Sequence, residues 1–152
     1  MRERTALVTG GSTGIGESIC KHFLDAGYTV LNLARRPAVI ESDRLHNFSV
    51  DLADREATRA VAAQLKENHA VDTLVHNAGL IRSALVEDAQ LEDLDYLSEI
   101  HLATGITLLQ ACLPTMKENN FGRVINMSSR ALLGLETRTN YSATKAAIIG
   151  QT

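Results

Sequence analysis

Tyr141 and Lys145 stand four residues apart in Tyr-Ser-Ala-Thr-Lys, so on a helix both side chains leave the same face and can share one site. A phenol is ordinarily neutral, with a pKa of ~10, but a neighbouring ammonium favours the phenolate and brings proton transfer closer to working pH. Tyr141 can then act as a general acid or base. Such pairs arise on many helix faces, and the meaning of this one depends on what the chain brings beside it.

A second constellation lies near the N-terminus. The stretch Val8-Thr-Gly-Gly-Ser-Thr-Gly-Ile-Gly-Glu17 joins a β-capable apolar run to a segment where Ile15, Ile19, Phe23 and Leu24 recur at helical spacing. Gly10, Gly11, Gly14 and Gly16 let the backbone turn tightly and approach a ligand, and the N–H groups of the following helix favour an anion. The loop reads as a phosphate cradle. It lacks the Lys-Ser/Thr ending of a nucleoside-triphosphatase loop, which argues against triphosphate hydrolysis.

Further along, Ala34-Arg35-Arg36-Pro37 occupies the place where a dinucleotide fold keeps an acidic side chain for the adenosine ribose. An acid would repel a 2'-phosphate, whereas a guanidinium binds it through forked, charge-assisted hydrogen bonds. NADP(H) is therefore expected over NAD(H), with Arg35 as the first contact and Arg36 beside it. Asp51 can accept a hydrogen bond from an adenine amino group. The small residues of Asn77-Ala78-Gly79 let a flat ring or ribose pass close to a strand end.

These residues must be held by regular elements. Periodicity predicts strands over Thr5–Val8, Tyr28–Leu33, Leu45–Val50, Val71–Val75 and Arg123–Met127. Helices are expected from about Ile15 to Ala26, from an Asp54 cap to about Asn68, from about Leu91 to Met116, and from near Tyr141 onward. Helices separate every strand but one from the next. That pattern is α/β: a Rossmann-like, doubly wound parallel sheet with helices on both faces, in one domain over 1–152. A dinucleotide fold has six strands in the order 3-2-1-4-5-6, so a chain with five strands is expected to be an N-terminal fragment, its sheet incomplete at the C-terminus. The acids Glu87, Asp88, Glu92, Asp93, Asp95 and Glu99 are read as complementing the start of the long helix, not as metal ligands.

Composition narrows the class. The 152 residues are 45% hydrophobic and 22% charged, enough apolar material for a core. A net charge of −3 gives no drive toward nucleic acid. Met1-Arg2-Glu3-Arg4-Thr5 runs into the first strand without a signal-like apolar region, and no apolar run approaches membrane-spanning length, so a cytoplasmic location is expected. Cys20 and Cys112 form no Cys-x-x-Cys pair and are expected as buried thiols, with no metal site.

In order along the chain, Thr9-Gly-Gly-Ser-Thr-Gly-Ile-Gly16, Asn77-Ala-Gly79, Asn126-Met-Ser-Ser129 and Tyr141-Ser-Ala-Thr-Lys145 resemble the short-chain dehydrogenase/reductase family, in the manner of its 3-oxoacyl-carrier-protein reductases. The resemblance covers essentially the whole chain. It implies an NADP(H)-dependent oxidoreductase that interconverts a carbonyl and a secondary alcohol of a small-molecule substrate by hydride transfer. In that family a serine orients the substrate oxygen, a tyrosine transfers the proton and a lysine binds the nicotinamide ribose, roles that fall here to Ser129, Tyr141 and Lys145. Ser128 has the more usual thirteen-residue separation from the tyrosine. Ser129 is favoured because it matches the strand-end motif, given a one-residue deletion in the loop. His101 stands where many relatives carry an asparagine that anchors a water in a proton relay, and imidazole can also donate and accept. The resemblance further implies that Gly10, Ser12, Ile15 and Gly16 touch the cofactor, together with Thr13, Gly14 and Leu52. Asn77, Ala78 and Gly79 would lie near the adenosine ribose. A homodimer or homotetramer is implied through the helices at about 91–116 and 141 onward. A non-catalytic NADP-binding module, or an inactive fragment of such an enzyme, is the competing reading.

Overall fold

The protein is described by a computed structural model covering residues 3–152. Met1 and Arg2, the start of the segment read as leading directly into the first strand, lie outside the described residues. Five parallel strands form one sheet: β1 (Thr5–Thr9), β2 (Thr29–Ala34), β3 (Leu45–Ser49), β4 (Thr73–His76) and β5 (Arg123–Asn126). Their order is β3-β2-β1-β4-β5, the Rossmann-like arrangement expected from the alternating pattern.

Side chains alternate across the sheet and divide the core into two layers. Leu7, Leu31 and Leu74 face one side, against Val61 and Leu65 of helix α2 (Arg55–Asn68) and Leu108 and Met116 of helix α4 (Thr104–Glu118). Val8, Val30 and Val75 face the other, against Cys20 and Leu24 of helix α1 (Gly14–Asp25). Both cysteines are free and buried, and burial pushes the Cys20 thiol up to about 11 and Cys112 up to about 12. Asp54 caps α2 as predicted, its carboxylate accepting from the Glu56 and Ala57 N–H groups at 3.0 Å each.

The long helix differs from a single rod. It consists of α3 (Leu91–Ser98), a π-helical turn over Glu99–Ala103, and α4. Glu87 and Asp88 belong to a separate 3-10 turn, Val86–Asp88, and not to the start of the helix. Two of the remaining acids are paired: Glu99 takes the guanidinium of Arg55, and Asp93 lies 3.5 Å from Arg82. Helix α5 (Thr139–Gln151) packs against α3 and the π turn. Strand β5 ends the sheet, with Val124 and Ile125 exposed.

Candidate functional site

The glycine loop lies across the C-terminal ends of β1 and β4. Gly10 has φ +69, a conformation that costs an L side chain energy, and its N–H donates to Leu33 O at 2.8 Å. At Gly16 the constraint is space: a Cβ there would sit 2.1 Å from Gly10 O and 2.6 Å from Asn77 Nδ2. The first turn of α1 is thus pressed against the loop. Asn32, the one polar residue in the middle of β2, accepts the Gly11 N–H at 2.8 Å and donates to Asn47 Oδ1 at 2.8 Å. Asn47 Oδ1 also takes the Ala38 N–H at 2.9 Å. The Thr9 hydroxyl oxygen accepts the N–H groups of Asn77 and Ala78 at 3.0 and 2.9 Å, and Asn77 Nδ2 donates to Thr9 O at 3.0 Å.

Beside this loop opens a cavity of about 390 Å³ lined by Gly10, Ser12, Thr13, Ile15, Gly16, Arg35, Arg36, Asp51, Leu52, Asn77, Ala78 and Gly79. Gly14 does not line it; it turns the chain into α1 with φ +60. The sequence reading missed Leu33, Val50, Leu80, Tyr96 and Ile100 as lining residues. Leu33 and Val50 were findable as strand C-terminal residues, whereas Tyr96 and Ile100 reach the cavity from a distant helix with no local motif. Ser12 Oγ donates to Arg36 O, fixing the basic turn against the glycine loop. Among the described residues neither Arg35 nor Arg36 has an acidic partner. Asp51 Oδ1 accepts the Ala53 N–H at 3.0 Å, which orients its carboxylate.

The reactive-type residues meet at the Gly79 end. Lys145 Nζ donates to Met127 O at 2.7 Å and lies 5.7 Å from the centre of the Tyr141 ring. The His101 ring meets Tyr141 edge-on with centroids 5.6 Å apart. A Cβ at Gly79 would lie 3.0 Å from His101 Nε2 and 3.3 Å from Lys145 Nζ, so glycine lets the cavity wall rest directly on both. Thr144 Oγ1 donates to the carbonyls of Asn140 and Tyr141 and lies 2.8 Å from His101 Nδ1. His101 Nδ1 and the Thr144 hydroxyl share one hydrogen bond, and His101 Nε2 is buried without a partner. Ser128 Oγ donates to Lys145 O at 2.8 Å, whereas Ser129 Oγ accepts the Ala131 N–H at 3.2 Å and keeps its own proton available.

Burial sets the charges. It lowers Lys145 to about 8, His101 to about 3, with the Lys145 charge and His76 adding to the effect, and His76 to about 4 despite hydrogen bonds that oppose the shift. Both histidines are neutral in the fold, and an unfolded chain would protonate them from the ordinary value of 6.5. Between that value and about 4 the unfolded state binds more protons, so stability rises with pH and is lost on acidification. Each histidine costs up to about 1.4 kcal/mol per pH unit in that window. Melting temperatures measured at about pH 7 and about pH 5 should fall steeply toward the lower value, and a His101→Gln variant should show a shallower slope. Equal slopes would contradict the assignment.

Among the described residues no cluster of side chains is arranged to hold a metal ion, and no helix is long and apolar enough to cross a membrane. The family model described as short chain dehydrogenase matches residues 4–152. A probable NADP-dependent dehydrogenase of Haemophilus influenzae is 37% identical over 86% of this chain and 55% of its own length. An acetoacetyl-CoA reductase of an Acinetobacter species is 34% identical over 99% of this chain and 66% of its own. The crystal structure of a short-chain dehydrogenase from Streptomyces avermitilis superposes with a TM-score of 0.91 at 34% identity, over 99% of this chain and 58% of that one. The chain thus spans between half and two thirds of the length of these relatives.

Proposed function

The chain belongs to the short-chain dehydrogenase/reductase family, and from that premise we propose that the whole protein is an NADP(H)-dependent oxidoreductase interconverting a carbonyl and a secondary alcohol. The observation that carries this reading is Gly79, which lies on the cavity wall and, through its missing side chain, against His101 and Lys145. A ligand held by the glycine loop and extending along the cavity ends beside the Tyr141–Lys145 pair.

The residues fit a dinucleotide. Gly10 and Gly16 line the cavity at the start of α1, where a pyrophosphate would lie, and Arg35, free of acidic partners among the described residues, suits a 2'-phosphate. Asp51 and Leu52 would flank the adenine, and Lys145 would take ribose hydroxyls. When bound, the cofactor supplies or accepts the electron pair that separates carbonyl from alcohol. Tyr141 gives or takes the proton at the substrate oxygen. Lys145, an ammonium below about pH 8, stands 5.7 Å from the centre of the Tyr141 ring. Ser129, with its proton uncommitted, donates to the same oxygen. His101, neutral, presents an unpartnered Nε2 beside Lys145 and would extend the path for that proton.

The retained Tyr141, Lys145 and Ser129 favour this over a module that binds NADP without turnover. Ile106, Leu113 and Ile149 lie exposed on α4 and α5, which supports association of copies through these helices in a cytoplasmic homodimer or homotetramer. The test is NADPH oxidation by full-length protein across carbonyl compounds. Arg35→Asp should weaken NADPH binding by on the order of 10- to 100-fold, since a charge-assisted hydrogen bond of about 1.5–3 kcal/mol is lost and a repulsion gained. NADH binding, titrated by nicotinamide fluorescence, should hold or improve. Unchanged NADPH affinity would defeat the Arg35 assignment.

A further inference from the structure

His76 sits at the end of β4, 2% exposed, and both of its ring nitrogens are engaged. Nε2 lies 3.0 Å from Ile100 O and 3.2 Å from His101 O, two carbonyls of the π turn. Carbonyls only accept, so Nε2 carries the proton and Nδ1 is a lone pair. The Thr9 hydroxyl, 3.1 Å from Nδ1, must therefore donate to it. The oxygen of that hydroxyl accepts the Asn77 and Ala78 N–H groups, so every proton in the network has one consistent place. Gly105 makes room for the ring, since a Cβ there would stand 3.0 Å from His76 Cδ2.

The π turn bonds to neighbouring elements along its length. Besides the two carbonyls held by His76, Leu102 O accepts from Gln151 Nε2 at 3.2 Å, and just past the turn, at the start of α4, the Thr104 hydroxyl donates to Leu52 O at 2.8 Å. A π turn is a rare single-turn interruption of an α-helix, and this one is held from outside through three successive carbonyls, those of Ile100, His101 and Leu102. Its central residue is His101, which packs edge-on against Tyr141 and sits beside Lys145 across Gly79.

We propose that His76 is a positioning residue: it fastens the π turn to the end of β1 through Thr9, and thereby fixes where His101 stands against Tyr141 and Lys145. This rests on the oxidoreductase reading of that site. The cofactor cradle keeps its own ties, because Thr9 still accepts two N–H groups when its donor bond is gone. Loss of His76 therefore acts on turnover and not on cofactor binding.

Two measurements on full-length protein test it. In the first, nitrogen NMR of the histidine rings near neutral pH should show His76 neutral with its proton on Nε2; a proton on Nδ1 would overturn the proposal. This measurement needs no turnover, so it stands even if the wild-type protein reduces no carbonyl, the result that would sink the oxidoreductase reading itself. In the second, His76→Leu should lower kcat by about tenfold to a hundredfold, as misplacement of an ångström can, with NADPH dissociation constants changed less than about threefold. His76→Gln, which keeps an N–H donor at comparable reach, should recover most of that loss. Assayed well below the melting temperature of each variant, an unchanged kcat in His76→Leu, or equal losses in Leu and Gln variants, would reduce His76 to a packing role and overturn the proposal.

Discussion

Replacing Tyr141 with phenylalanine should lower kcat of the full-length protein by on the order of 10²- to 10⁴-fold, the range over which a positioned acid or base contributes. The ring contacts should survive, because the edge-on packing against His101 and the approach of Lys145 Nζ to the ring use carbon faces and not the hydroxyl. NADPH affinity should therefore stay within a few-fold, and melting temperature should barely move. Steady-state assays with fluorescence titration of NADPH separate these quantities. Retention of more than about a tenth of wild-type kcat would remove the tyrosine from the chemistry. The same assay distinguishes the serines: Ser129→Ala should resemble the tyrosine variant, whereas Ser128→Ala loses a hydrogen bond to Lys145 O and should show mainly a stability effect. If only Ser128→Ala abolished turnover, Ser128 would be the active serine.

Gly16→Ala should be nearly as damaging by another route. The new methyl would stand 2.1 Å from Gly10 O and 2.6 Å from Asn77 Nδ2, and the first of these neighbours is backbone, which cannot swing aside. Relief requires the first turn of α1 to move off the glycine loop, which would reshape the cavity wall that Gly10 and Gly16 form together. A cost of about 1–3 kcal/mol in stability is expected from the overpacking, with NADPH affinity reduced about tenfold or more. Gly14→Ala is the matched control. Nothing lies within 4 Å of its added Cβ, but φ is +60, so it carries backbone strain alone, about 1–2 kcal/mol. If both substitutions weakened NADPH equally, close packing at Gly16 would not be what shapes the cradle.

The parts of this molecule legible in the sequence are those where one residue type answers a local demand. The change of period around Gly10–Gly16 announces strand, turn and helix, and Asp54 announces a helix start because an orphaned pair of N–H groups needs an acceptor there. The lining of the cavity follows from where strands end, which is why Asp51 and Asn77 were findable. The π turn was not. Leu94, Leu97, His101, Gly105, Leu108 and Cys112 recur at spacings of three and four straight across the turn, a stripe that an uninterrupted helix satisfies equally well. What selects it lies far away, in His76 and Gln151, whose side chains take the carbonyls of that turn. Strand boundaries shifted by a residue or two. Val71 and Asp72 read as strand by composition, and Asp72 does exchange backbone bonds with Thr5 and Arg123 at 3.1 and 2.9 Å, but the regular strand spans Thr73–His76.

Asn32 acts as a ruler. Its oxygen holds the glycine loop through Gly11, and its nitrogen, through Asn47, holds the turn after Arg36 at Ala38. On the NADP(H) reading proposed above, the spacing between a pyrophosphate and a ribose phosphate would be set by this amide in the middle of a buried strand together with the direct Ser12–Arg36 tie between the loops. On the same reading, Arg35→Asp would alter cofactor preference without touching that brace, whereas loss of the Asn32 amide would loosen the glycine loop and the turn at Ala38 together and should lower affinity for either dinucleotide.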